Sequence, residues 1–149
     1  MDFAAASPGT GTVVPLERVA HVPCVLIVDD DAATRMLCSV NLQLEGLRVL
    51  EAADGRHGLA RAQDEHPDLV LTDVMMPGLD GFELAEALRR DNRTNLIPLI
   101  FLSGETTPTN EIRAQQVGAL AYVRKPFDPL ALASLVAGVL ARPAPQQAA

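Results

Sequence analysis

The sequence predicts an α/β fold in which a parallel sheet carries helices on both faces. Short apolar runs, typical of buried strands, alternate with segments whose apolar residues recur at helical spacing. Five such strand–helix units follow one another, separated by Gly, Pro or Asp. Because crossovers between parallel strands are right-handed, five units in series predict a doubly wound, five-stranded sheet.

The first unit pairs a strand predicted over residues 24–28 (CVLIV) with a helix predicted over residues 32–44. An unbroken apolar run is typical of a parallel strand that is buried on both faces. Asp31 is placed to cap the helix, and Gly46 follows its end. The apolar residues at helical spacing are Met36, Leu37, Val40 and Leu44.

The four later units follow the same plan. Their strands are predicted over residues 47–52, 69–72, 99–102 and 121–123. Their helices are predicted over residues 55 to about 66, 81–90, 109–117 and 129–141. Asp54 is placed to cap the first of these helices, and Pro67 ends it.

Composition and charge restrict the class of protein. The chain has 149 residues, which suits one domain, and its 48% apolar and 3% aromatic content predicts an aliphatic core. A net charge of −7 disfavours a nucleic-acid-binding surface, which needs clustered Lys and Arg. Cys24 and Cys38 are expected to be buried, reduced thiols. No apolar run is long enough to span a bilayer and no signal peptide is evident, so we expect a cytoplasmic protein without membrane contacts.

Both ends of the chain differ in composition from its centre. Residues 1–21 are rich in Ala, Gly, Thr, Ser and Pro without a sustained period, and we expect a flexible extension there. Residues 143–149 contain Pro and Gln and are expected to form a disordered tail. The folded domain is therefore predicted over residues 22–142.

Polar side chains follow the ends of four predicted strands. Asp29 and Asp30 follow the first strand, Asp73 the third, Ser103 the fourth and Lys125 the fifth. In doubly wound sheets the site lies beyond the carboxyl ends of the strands, so we expect these groups to meet at one edge. Each alone has an ordinary alternative role, such as helix capping by an aspartate or a surface position for the lysine. Their joint spacing favours a site.

This set of groups suits phosphoryl transfer to a carboxylate. Clustered carboxylates repel one another, and a Mg²⁺ ion, which prefers hard oxygen ligands, would relieve that repulsion. The Asp73 carboxylate can act as a nucleophile toward phosphorus and form an aspartyl phosphate. Lys125 and Ser103 can then contact the equatorial oxygens of the transferred group.

Four segments resemble the signature motifs of bacterial response-regulator receiver domains, including the stand-alone chemotaxis receiver. In chain order they are VLIVDDD, LVLTDVMMPGLDGFEL, PLIFLSG and GALAYVRKPF. The resemblance covers residues 22–141 and implies a flavodoxin-like fold with strand order 2-1-3-4-5. It also implies a single-domain response regulator of a two-component phosphorelay. Such a protein takes a phosphoryl group from a sensor histidine kinase or a histidine phosphotransfer protein, then binds a downstream protein target or passes the group on.

The resemblance assigns roles around the phosphoacceptor. Asp73 would be the modified residue and a ligand of Mg²⁺. Asp30 would bind the ion directly, and Asp29 would support it mainly through water. The backbone carbonyl of Met75 would complete the protein ligands.

The resemblance also implies a conformational switch. Phosphorylation of Asp73 would turn the Ser103 hydroxyl toward the phosphoryl group, and Tyr122 would rotate into the vacated space. Lys125 would bind the phosphoryl group, and its peptide bond to Pro126 would be cis. These contacts would shift the population between two existing packings of the loop after the fourth strand.

The last predicted helix is apolar over more than one face. Leu130 and Leu135 fall outside its expected core stripe. They are either scattered surface leucines or part of a partner surface, and a homodimer through this helix or the switch face is one form of such a surface.

Two other functions fit parts of the sequence. A haloacid-dehalogenase-type phosphatase also uses an aspartate after a strand, but it needs a second acid where this chain has Met75, which cannot transfer a proton. A phosphorylation-independent interaction module would keep the fold without the chemistry.

We expect a phosphoacceptor that assists its own phosphorylation and dephosphorylation, rather than a turnover enzyme. The short tail after residue 142 suits a regulator that acts alone or a fragment of a larger one.

Overall fold

The computed structural model describes residues 21–141, which form one parallel sheet between two layers of helices. The strands are β1 (Cys24–Val28), β2 (Arg48–Ala52), β3 (Leu69–Asp73), β4 (Leu99–Ser103) and β5 (Ala121–Arg124). The helices are α1 (Ala32–Leu44), α2 (Gly55–Glu65), α3 (Gly81–Arg90), α4 (Pro108–Gln116) and α5 (Pro129–Ala141). The parallel strand order β2-β1-β3-β4-β5 confirms the predicted flavodoxin-like, doubly wound fold. The predicted extension up to residue 20 and the predicted tail lie outside the described residues.

The three central strands, β1, β3 and β4, form the middle of the core, and every residue in them is buried. Alternate side chains point to opposite faces of the sheet. Val25 and Ile27 pack on the side of α1 and α5, whereas Leu26 and Val28 pack on the side of α2, α3 and α4. Helices therefore cover both faces, as a fully buried parallel sheet requires.

Two helices begin directly after their strands with an aspartate cap. The Asp31 carboxylate accepts a hydrogen bond from the Ala33 N–H (3.2 Å), and the Asp54 carboxylate accepts one from the His57 N–H (2.9 Å). Both predicted caps are confirmed. The carboxyl ends of the strands and the first turns of the helices consequently share one edge of the sheet.

Helix α1 spans the predicted residues, but it does not bury the apolar stripe from which it was predicted. It buries Cys38, Ser39 and Leu42 instead. The exposed apolar residues of this helix are Met36, Leu37, Val40 and Leu44. Two of these three buried side chains are small, and the larger apolar side chains of the predicted stripe lie on the outward face. An apolar surface on α1 therefore faces solvent.

The predicted burial of the two cysteines and the predicted position of two leucines outside the core are also confirmed. Cys24 and Cys38 are buried free thiols, and burial raises the pKa of Cys38 to about 11. Leu130 and Leu135 are exposed, while Val136 of the same helix lies in the core. Within residues 21–141, each helix is too short or too polar to cross a membrane.

Candidate functional site

The carboxyl ends of the strands bring three carboxylates and one ammonium together. One oxygen of each of Asp29, Asp30 and Asp73 lies within 4.8 Å of the others. Lys125 Nζ lies 3.0 Å from Asp29 Oδ2 and 3.4 Å from Asp73 Oδ2. Asp29 and Asp73 are buried, whereas Asp30 is exposed. The structure thus places four of the predicted site residues in one cluster.

Asp29 is held by its neighbours through both its backbone and its carboxylate. Its N–H donates to the Ala52 carbonyl (3.1 Å), which continues the pairing of β1 with β2. Its Oδ1 accepts from the Asp31 N–H (2.9 Å), and its Oδ2 accepts from Lys125 Nζ (3.0 Å). Both carboxylate oxygens of Asp29 are therefore engaged, which leaves the exposed Asp30 carboxylate more accessible to an incoming cation.

The charges around Asp73 disfavour its ionised form. Burial raises the pKa of the Asp73 carboxyl above its ordinary value of 3.8, the Asp29 carboxylate raises it further, and Lys125 opposes both effects. Burial alone would lower the pKa of Lys125, but the hydrogen bond that Lys125 donates to Asp29 and the charges of Asp29 and Asp73 outweigh this effect and raise that pKa above 10.5. Lys125 is therefore an ammonium ion at neutral pH.

The donor set of the cluster fits a Mg²⁺ ion. Three carboxylates (−3) and one ammonium (+1) leave a formal charge of −2, which a divalent cation offsets. Carboxylate oxygens are among the hard ligands that Mg²⁺ prefers. The side chain of Met75 is exposed at 59%, and the role of its backbone carbonyl as a ligand stays a prediction.

Replacing Asp73 with Asn is expected to stabilise the protein when Mg²⁺ is absent. The amide removes a buried negative charge beside Asp29, and we expect the free energy of unfolding at pH 7 to rise by about 1 kcal/mol. Because the raised pKa of Asp73 means that the folded state binds this proton more tightly, its ionisation costs stability as pH rises above 3.8. The gain should therefore be smaller at pH 5. Urea unfolding followed by circular dichroism measures it, and a variant less stable than wild type at pH 7 contradicts the expectation.

Lys125 is the only lysine in the sequence, beside 11 arginines. A compact ammonium fits between two carboxylates, whereas a guanidinium prefers a planar, two-pronged contact. The Lys125 N–H donates to the Ser103 carbonyl (2.8 Å), which fixes the backbone at the end of β5. The peptide bond between Lys125 and Pro126 is cis, as the resemblance implied.

Ser103 and Tyr122 meet at one backbone carbonyl. Ser103 is buried at the end of β4, and its hydroxyl donates to the Glu105 carbonyl (2.8 Å). The Tyr122 hydroxyl donates to the same carbonyl (2.7 Å), and the Glu105 N–H donates back to Ser103 Oγ (3.1 Å). The loop after β4 therefore connects the two predicted switch residues. The role of the Glu105 carbonyl was not predicted from the sequence, because a backbone carbonyl leaves no residue-type signature.

The peptide that carries Asp73 packs against the first residue of α3. The Gly81 N–H donates to the Val74 carbonyl (2.9 Å), and a Cβ at Gly81 would overlap the Asp73 carbonyl oxygen and the Val74 Cα. Only glycine permits so close an approach of two backbones. From the sequence, Gly81 was identified only as the start of a helix, so its contribution to placing Asp73 was missed.

Comparisons with known proteins cover the same part of the chain as the four sequence motifs. The family model described as response regulator receiver domain matches residues 25–137. Protein PilH of Pseudomonas aeruginosa is 37% identical over 117 residues, which cover 78% of this chain and 97% of PilH. The chemotaxis protein CheY4 of Vibrio cholerae has a crystal structure with a TM-score of 0.75 and 37% identity, which covers 80% of this chain and 99% of CheY4.

Longer relatives match over part of their length. The phosphate regulon transcriptional regulatory protein PhoB of Pseudomonas aeruginosa is 41% identical over 121 residues, which cover 81% of this chain and 53% of PhoB. This chain spans about half the length of PhoB and of two other transcriptional regulators that it matches.

Proposed function

We propose that this chain, which belongs to the response regulator receiver family, accepts a phosphoryl group on Asp73 from a histidine kinase or a histidine phosphotransfer protein. The family predicted from the four motifs is confirmed by the family match and by the similarity to CheY4. Receiver domains are signalling proteins rather than turnover enzymes. One observation supports the proposal most directly: the Asp73 carboxylate ends a central strand 3.4 Å from the ammonium of Lys125.

In the proposed reaction, a carboxylate oxygen of Asp73 attacks the phosphorus of a phosphohistidine. A P–O bond to Asp73 forms as the P–N bond breaks, and the leaving imidazole takes up a proton. Lys125, which lies beside the attacking carboxylate, binds an equatorial oxygen of the transferred group. Because Lys125 is already protonated, it contributes positive charge without a proton transfer.

Asp29, Asp30, Asp73 and the backbone carbonyl of Met75 would hold the Mg²⁺ ion. When bound, the ion supplies positive charge beside the carboxylates and the incoming phosphoryl oxygens. Asp30, the exposed carboxylate, is assigned direct contact with it. Asp29, whose two oxygens already accept hydrogen bonds, is assigned the supporting role through water.

The proposed switch depends on the Glu105 carbonyl. Ser103 and Tyr122 both donate to this carbonyl in the structure. When the Ser103 hydroxyl turns to a phosphoryl oxygen on Asp73, the carbonyl loses one of these donors. The loop after β4 and Tyr122 then adopt a second packing, in which the face around them presents a different surface to a downstream protein.

The exposed apolar residues of α1 are suitably placed to receive the phosphodonor protein. This helix begins two residues after Asp30, and the exposed Met36 (67%) and Leu37 (47%) lie in its first two turns. A protein that brings a phosphohistidine to Asp73 must cover this rim of the site. Exposed apolar side chains next to a site are typical of a protein-binding surface.

Changing Met36 to Lys is expected to slow phosphotransfer from a protein donor about tenfold, the effect of losing one important contact in an interface. Labelling by phosphoramidate should stay unchanged, because this small donor needs no docking surface. Leu96→Lys is the matched control, since Leu96 is 86% exposed ahead of β4, at the opposite edge of the sheet. The test uses a histidine kinase that phosphorylates the wild type. Stopped-flow or gel-based assays measure the transfer rate of each variant relative to that of the wild type. Equal slowing by both variants contradicts the assignment of this surface.

The downstream partner of the domain is proposed to be a protein. PilH matches this chain along nearly its whole length, which supports a regulator that acts as a single domain. PhoB carries a name that describes a transcriptional regulator, and RpaA of Synechocystis sp., another of the relatives that this chain matches over about half their length, carries a name that describes a DNA-binding one. That the domain itself binds no nucleic acid stays a prediction, as does a homodimer through α5 or the switch face.

Labelling with a small phosphodonor tests the proposed function. The protein is incubated with phosphoramidate and Mg²⁺, and intact-mass spectrometry compares wild type with Asp73→Asn. We expect one phosphoryl group on the wild type, dependent on Mg²⁺, and none on the variant. Phosphoramidate is preferable to acetyl phosphate, which can also acetylate the single lysine. A folded wild type that stays unlabelled would favour the phosphorylation-independent interaction module.

A further inference from the structure

The backbone carbonyl of Asp29 accepts its hydrogen bond from a side chain on the following helix. Arg35 Nη1 lies 2.7 Å from this oxygen, and the Arg35 backbone N–H donates to the Asp31 carbonyl (3.0 Å) within the first turn of α1. A guanidinium bond to a carbonyl is charge-assisted and therefore stronger than a bond between neutral groups. Arg35 thus holds the chain at the point where it leaves β1.

Arg35 is itself fixed by a second contact. Its Nε lies 3.3 Å from the Glu51 carboxylate on β2, and only 18% of its side chain is exposed. A guanidinium is planar and presents its donors at fixed relative positions, so these two contacts set its orientation. The side chain therefore connects the turn after β1 to the edge strand of the sheet.

The contact to Asp29 controls the peptide unit that carries Asp30. A peptide is planar, so holding the Asp29 carbonyl also sets the direction of the following N–H and Cα. The Asp29 carboxylate is fixed separately by Asp31 and Lys125, whereas the Asp30 carboxylate is exposed. The position of Asp30 relative to the other two carboxylates depends strongly on this backbone contact.

We propose that Arg35 is a positioning residue for the cation site formed by Asp29, Asp30 and Asp73. The inference rests on the proposed function, because it assumes that these carboxylates bind Mg²⁺. Arg35 acts through the backbone and not through its charge. The two effects have opposite signs: a positive charge near the cluster weakens cation binding, whereas correct placement of Asp30 strengthens it.

The sign of the change in Mg²⁺ affinity decides between the two effects. Isothermal titration calorimetry with MgCl₂ compares wild type, Arg35→Ala and Arg35→Lys. We expect Arg35→Ala to bind Mg²⁺ about tenfold more weakly, the lower end of the range for residues that orient metal ligands. Arg35→Lys keeps the charge but loses the planar fork, and we expect it to bind more weakly than wild type as well. Unchanged or tighter binding by Arg35→Ala overturns the proposal.

Arg61→Ala is the matched control. Like Arg35, Arg61 donates to a backbone carbonyl, in this case that of Glu51 on β2 (3.0 Å). It also pairs with the Glu65 carboxylate (2.8 Å) on its own helix. Its removal should leave the Mg²⁺ affinity as in wild type, and an equal loss in both alanine variants would show a general structural effect and overturn the proposal.

Thermal melts of all variants without Mg²⁺ give the folded fraction used in each titration. Wild type is labelled with phosphoramidate in parallel: an unlabelled wild type contradicts the proposed function, whereas a labelled wild type with unchanged affinity in Arg35→Ala contradicts only the role of Arg35.

Discussion

Replacing Lys125 with Ala is expected to lower the free energy of unfolding by about 3 kcal/mol at pH 7 without Mg²⁺, and to abolish phosphorylation. The substitution leaves the Asp29 and Asp73 carboxylates buried without their ammonium partner, and removal of one member of a buried ion pair costs about 3–5 kcal/mol. The lower end of this range applies because 23% of the Lys125 side chain is exposed. Urea unfolding measures the loss of stability. It is followed by circular dichroism, because the sequence contains no Trp whose fluorescence could report unfolding.

The pH dependence and a conservative variant make this prediction specific. The raised pKa of Lys125 means that its contribution is present below pH 10.5 and is lost as pH rises through the folded-state pKa. In Lys125→Ala, the loss of stability should shrink between pH 7 and pH 5, because the Asp73 carboxyl, whose pKa is raised by burial and by Asp29, can then bind a proton more readily. Lys125→Arg, which keeps the charge, should lose less stability than Lys125→Ala. Equal losses in both variants, or a loss independent of pH, would contradict the electrostatic explanation.

Replacing Gly81 with Ala is expected to destabilise the protein by about 1–3 kcal/mol, the cost of forcing an extra carbon into a packed interior. The added Cβ would overlap the carbonyl oxygen of Asp73, so the peptide that carries the phosphoacceptor must shift. We also expect phosphorylation by phosphoramidate to slow at least tenfold, because reacting groups must keep their geometry closely. Labelling rates from intact-mass spectrometry and urea unfolding measure the two effects.

Gly138→Ala is the matched control for this substitution. Gly138 lies within α5, and a Cβ there would meet no atom within 4 Å. Because Ala favours a helix over Gly by about 1 kcal/mol, the same change should stabilise the protein at this position. Labelling should remain at the wild-type rate. A normal labelling rate in Gly81→Ala would show that the contact with Asp73 does not place the phosphoacceptor.

The sequence predicted the features that depend on local apolar patterns. Strands β1, β3 and β4 are nearly unbroken apolar runs, and such runs are buried on both faces in a parallel sheet. Since parallel strands end at one edge, the spacing also predicted that Asp29, Asp73 and Lys125 would meet there, and in the structure they do. The buried face of α1 was not predictable from hydrophobic spacing, because packing against the sheet selected Cys38 and Ser39 over larger apolar residues.

The features missed from the sequence depend on backbone atoms or on long side chains. The Glu105 carbonyl that Ser103 and Tyr122 share has no residue-type signature. An arginine on the first turns of a helix is common, and only the fold shows that Arg35 reaches the carbonyl of Asp29. The tight contact of Gly81 with the Asp73 peptide is likewise a property of two backbones that the sequence separates.

Locating the phosphoryl group within the chain tests the central claim most directly. The protein is treated with phosphoramidate and Mg²⁺, and borohydride then reduces the acyl phosphate to an alcohol, which converts the modified aspartate to homoserine. Peptide mass spectrometry then identifies which residue has been converted. We expect homoserine at position 73 alone, and only when Mg²⁺ is present. Conversion at Asp29 or Asp30 instead, or none in a folded protein, would contradict it.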